Sequence, residues 1–107
     1  MRRAICSLAL GCVLAASAVT GEARADAARG LALAEQWCSQ CHGVRPNAAS
    51  LTQAIPSFPQ IAAEPSATEP SLRVFLRTPH PSMPNFILQQ DDIDDLVSYI
   101  LSMKRAR

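Results

Sequence analysis

The strongest pattern of apolar and polar positions lies near the end of the chain. In QDDIDDLVSYILSMKR, residues 90–105, the apolar residues Ile93, Leu96, Val97, Ile100 and Leu101 recur at i, i+3, i+4, i+7 and i+8. That is the stripe of an amphipathic helix with one face in a core. Asp91, Asp92, Asp94 and Asp95 crowd its start, and Lys104, Arg105 and Arg107 stand at its end. The helix dipole favours that distribution, which accounts for the charges without a dedicated docking patch. Gln89 stands at the start position, where serine or threonine makes a stronger cap.

A second helix is predicted over DAARGLALAEQW, with Asp26 as its cap and Gly30, Leu33, Ala34 and Trp37 on one face. Gly30 and Ala34 are small and one turn apart, so a second helix can approach closely there. From Gly43 to Pro70 the chain is rich in proline, serine and alanine, and regular structure is not expected over most of it. A loop of that length in a small domain is usually functional, and Ile55, Phe58 and Ile61 are apolar enough to cover a ligand. A short helix follows from about Glu69 to Arg77, with Leu72, Phe75 and Leu76 inward and Arg73 and Arg77 on a solvated face. No segment alternates as a strand does, so the fold class is all-α.

The first 25 of the 107 residues have the look of a secretory leader. Arg2 and Arg3 precede an uncharged run from Ala4 to Thr20, and Ala23-Arg24-Ala25 marks a cleavage site. The run is short for a membrane span, which needs roughly 20 residues, so an uncleaved anchor is the lesser reading. A lipoprotein site at Gly11-Cys12 fits worse, because Ala9 is a poor match for the expected leucine. The division is therefore a leader over 1–25 and one domain over 26–107, placed in the periplasm. Past the cut, seven Lys and Arg face eight Asp and Glu, and nothing forms the concentrated basic surface a nucleic-acid binder needs.

Cleavage removes Cys6 and Cys12 and leaves Cys38 and Cys41, in EQWCSQCHGV. Three chemistries compete for that pair. A dithiol redox pair normally follows a strand, and none precedes Cys38. Structural zinc wants four ligands, and Cys38, Cys41, His42 and His80 make an unusual set. C-x-x-C-H is also the signal for covalent haem. On a helical turn, thiols three positions apart reach the two vinyl groups on one porphyrin edge, and the adjacent imidazole is held under the iron. The downstream TPHPSMPNF favours this third reading. Pro79, Pro81 and Pro84 push Thr78, His80 and Met83 toward extended backbone, a strap that carries a thioether between the two last helices.

With GLALAEQWCSQCH, LRVFLRTPHPSMPNF and IDDLVSYILSM in these positions, the chain resembles the class I cytochromes c over nearly all of residues 26–107. The resemblance implies a small helical fold in which the first and last helices cross beside one haem c. Thioethers would fall on Cys38 and Cys41, axial iron ligation on His42 and Met83, and the crossing on Gly30 and Ala34 against Leu96, Tyr99 and Ile100. Ala34 stands where the family often has an aromatic residue. Trp37 and Tyr99 would be packing residues, Met103 a core or fraying residue, and His80, three residues from Met83 in the strap, would project to solvent.

The implied function is one-electron transport between redox partner proteins by a monomer that is not an enzyme. A haem enzyme or gas sensor with an open sixth position and His80 on the distal side is the alternative. A cytochrome subunit of a periplasmic dehydrogenase is another.

Overall fold

The computed structural model describes residues 24–79 and 81–105, the last without its side chain. The leader up to Ala23, His80, the Arg105 side chain and Arg107 lie outside the described residues. Four helices follow one another: α1 (Ala27–Trp37), α2 (Phe58–Ala63), α3 (Glu69–Arg77) and α4 (Gln90–Arg105). There is no strand among the described residues, and the fold is all-α as expected. Helix α4 is the hub on which α1, α2 and α3 each pack.

Asp26 caps α1 as expected, its carboxylate accepting the backbone N–H groups of Ala28 at 2.8 Å and Arg29 at 3.2 Å. Gly30, Leu33 and Ala34 are buried against α4, whose Ile93, Leu96, Val97 and Ile100 form the centre of the core. The crossing is close. A Cβ on Gly30 would lie 2.6 Å from the Asp95 carbonyl carbon and 2.8 Å from Tyr99 Cβ, so only glycine fits. Ala34, fully buried, leaves no room for the aromatic residue common in the family.

Two of the four aspartates at the start of α4 do more than answer the helix dipole. Asp92 and Asp95 are buried and both pair with Arg29 of α1, Asp92 at 2.6 Å. Asp95 also accepts the Asp26 backbone N–H at 2.6 Å. Asp92 accepts the Gln89 N–H at 3.2 Å as well. A carboxylate three residues into the helix thus serves the end that glutamine caps poorly.

The proline-rich segment is more ordered than its composition suggests. Ser57 and Gln60 form a capping box that starts α2 inside it, with Ser57 N–H donated to Gln60 Oε1 at 2.7 Å. Phe58 and Ala62 of this helix are buried against α4. The Ser-x-x-Gln spacing with Pro59 behind it was the available signal. Helix α3 has the expected bounds, started by Thr68 and Ser71. Leu72 is buried, and Phe75, though half exposed, faces the same internal cavity as Leu72 and Leu76. Arg73 is not part of a solvated face, since it pairs with Glu69 one turn back and with Asp94 of α4.

Candidate functional site

Helix α1 runs on beyond Trp37 as a single tight turn. Cys38 and Ser39 donate to the Ala34 carbonyl, and Cys41 and His42 donate to the Cys38 carbonyl at 3.1 and 2.9 Å. The turn holds Cys38, Cys41 and His42 in one rigid unit, as the sequence spacing requires. The chain behind the unit is fastened on several sides. Leu51 N–H reaches the Cys41 carbonyl at 2.8 Å, Gly43 N–H reaches Ser50 Oγ at 2.9 Å, and Phe58 N–H reaches the Gly43 carbonyl at 2.9 Å. A Cβ on Gly43 would come within 2.7 Å of the Ala48 carbonyl carbon, so the loop can double back there only past a glycine.

His42 is oriented by a group that no sequence pattern marks. Its Nδ1 lies 2.6 Å from the Pro56 carbonyl oxygen. A carbonyl only accepts, so Nδ1 carries the proton and Nε2 is left as the basic nitrogen. Phe58 packs against the same ring with centroids 5.7 Å apart.

Both cysteines, His42 and Met83 line a single cavity of about 720 Å³. That volume is within the range of small-molecule and cofactor sites, roughly 300–1,000 Å³. Most of the wall is apolar: Phe58 and Ile61 of α2, Leu72 and Leu76 of α3, and Leu96 and Ile100 of α4. Ile55 also lines it, so the three apolar loop residues singled out in the sequence all face the ligand space. Met83, half-buried, enters from the strap between α3 and α4, which is non-helical as the prolines dictate. Phe86, just past Met83, stacks on Trp37 with ring centroids 6.5 Å apart and ties the strap to the end of α1. Sequence reasoning missed that pairing.

Cys38 and Cys41 are not joined in a disulfide. Burial pushes the Cys38 thiol up to about 11 from its ordinary 9, the reverse of what a redox-active or zinc-binding thiolate needs. Among the described residues no three His, Cys, Asp or Glu side chains converge as a metal cage. Two thiols, an imidazole and a thioether around a largely apolar space suit a porphyrin: thiols for its vinyl edge, nitrogen and sulfur for its iron, and hydrocarbon for its faces.

An all-helical shell closed on such a cavity, with C-x-x-C-H on one side and a methionine strap among the lining residues, defines a class I monohaem cytochrome c. The comparisons with known proteins agree, and the chain belongs to the cytochrome c family. The family model described as cytochrome c oxidase, cbb3-type, subunit III matches residues 25–100. Cytochrome c-552 of Bradyrhizobium diazoefficiens is 37% identical over 89 residues, which cover 83% of this chain and 86% of that protein. No solved structure gives a significant match. As a member of this family the protein carries covalently bound haem c and acts in electron transport.

Proposed function

We propose that the protein is a periplasmic one-electron carrier, exported behind a leader cut between Ala25 and Asp26. In this reading Cys38 and Cys41 would hold the haem by thioethers, and His42 and Met83 would bind its iron. The observation that best supports it is the convergence of these four side chains on one apolar cavity.

The haem bound there supplies a one-electron couple, ferrous to ferric iron. The protein's own groups set the conditions. The Pro56 carbonyl fixes the His42 tautomer and leaves Nε2 to bind metal. Phe58, Leu96 and Ile100, all buried, keep water off the site. A methionine sulfur is a soft ligand that favours the ferrous state, so a high potential is expected. With His42 and Met83 both on the iron, no position would be left for a substrate, and bond-making catalysis is not expected. Electrons enter and leave through redox partner proteins that dock on a monomer.

The test is the spectrum of the ferrous holoprotein under carbon monoxide, together with a redox titration. A one-electron titration curve and no spectral response to the gas support the carrier. Ready carbon monoxide binding would make the sixth position open and favour the sensor or enzyme reading. The description of the matching family model favours one further arrangement, a cytochrome subunit of a larger respiratory enzyme. Sizing of the holoprotein from unfractionated native extract separates that from a free carrier.

A further inference from the structure

Among the described residues, the α1–α4 crossing buries two carboxylates against one cation. The Asp92 and Asp95 side chains are 11% and 6% exposed, and Arg29 pairs with both. Buried charges are normally balanced, because removing an ion from water is costly unless a partner compensates it. Asp92 completes its shell with a neutral N–H from Gln89. Asp95 completes its own with the backbone nitrogen of Asp26, 2.6 Å from Oδ1. That nitrogen belongs to the bond that Ala23-Arg24-Ala25 marks for cleavage. Arg24, Ala25 and Asp26 are exposed and non-helical, as a peptidase substrate must be.

We propose that hydrolysis of the Ala25–Asp26 bond converts this nitrogen into an α-ammonium that ion-pairs with Asp95 and completes the charge balance of the helix crossing. Water adds across the amide, the carbonyl carbon leaves with the leader as the Ala25 carboxylate, and the Asp26 nitrogen takes up the protons to become an ammonium. A neutral donor is thereby replaced by a charged one at the same place. Hydrogen bonds between charged groups are stronger than neutral ones. The Asp26 side chain already caps α1 through Ala28 and Arg29, so its nitrogen is positioned before the charge arrives. Two carboxylates then face two cations across the crossing. Processing, on this view, tightens the fold as well as releasing the chain.

The inference rests on the proposed cut after Ala25, and the experiment separates the two. The holoprotein beginning at Asp26 is prepared in a Lys104→Arg background, where the α-amine is the remaining amine, because Lys104 is the one lysine of the chain. Half is acetylated at that amine. The acetylated form keeps the N–H and loses the charge, as the unprocessed chain does. The acetylated form should melt several degrees lower, and the difference should vanish in an Asp95→Asn partner series. Equal melting temperatures, or a difference that survives Asp95→Asn, overturn the proposal. If Asp95→Asn does not accumulate, the Asp95 arm is replaced by salt. The difference should then shrink as ionic strength rises, and a salt-independent difference overturns the proposal equally. N-terminal sequencing of the exported protein tests the cut by itself; a start elsewhere removes the processing reading while the acetylation result still decides the ion pair.

Discussion

The Tyr99 hydroxyl donates a buried hydrogen bond to the Val44 carbonyl oxygen at 2.6 Å. Val44 lies two residues after His42, so this one bond fastens the C-terminal helix to the chain that carries the C-x-x-C-H turn. The Tyr99 ring also packs on Phe58, with centroids 6.3 Å apart, and Phe58 in turn meets His42. Tyr99 is thus a packing residue, as its sequence position implied, with a positioning role that sequence did not reveal.

Tyr99→Phe should lower stability by about 1–2 kcal/mol, because the buried Val44 carbonyl is left without its partner. Guanidinium unfolding of the holoprotein measures this as a lower midpoint at constant slope. An unchanged midpoint would show that water replaces the hydroxyl at no cost.

The same residue gives a pH dependence. Burial raises the Tyr99 phenol above its ordinary value of 10, with Arg45 pulling it down and Glu35 pushing it up by lesser amounts. Above about pH 10 the unfolded chain therefore releases the tyrosine proton more readily than the native protein. The stability this residue contributes is whole below that pH and declines as pH climbs through the raised native value. Stability measured from pH 9 to 11 should fall more steeply in the wild type than in Tyr99→Phe, and identical slopes would refute the assignment.

Gly30→Ala should destabilise by about 3 kcal/mol, at the upper end for overpacking, because its new Cβ meets the backbone of α4 at Asp95 rather than a movable side-chain tip. Thermal melts of holoprotein check it. A near-neutral result would mean that the two helices can separate at little cost.

Covalent attachment is tested by denaturing electrophoresis with haem staining. Wild-type protein should stain, and a Cys38→Ala, Cys41→Ala double variant should not. Free extraction of haem from the wild-type chain into acidified organic solvent would defeat the proposed thioethers.

Met83→Ala should abolish the weak ferric absorption near the infrared edge that marks an iron–sulfur bond and should lower the reduction potential. His80→Ala should leave both nearly intact. The opposite pattern would assign the iron two histidines and remove the high-potential carrier reading.

Much of this protein was determined by its sequence alone. The apolar stripe of α4, the Asp26 cap and the small face of α1 are local consequences of residue type and period. Cys38, Cys41 and His42 lie within five residues, so their spacing on a helical turn follows from the chain itself, and three prolines fix the Met83 strap as non-helical. The choice of partners was tertiary. Every residue carries a carbonyl, so nothing in the sequence marks Pro56 as the one that orients His42, or Val44 as the one that meets Tyr99. Four aspartates in five positions look alike as a dipole-favoured cluster. Only the crossing of α1 over α4 turns Asp92 and Asp95 inward to Arg29, and packing of α3 on α4 gives Asp94 to Arg73. Periodicity names the face a helix buries, whereas the backbone and charged groups opposite that face are set by how separate helices come together.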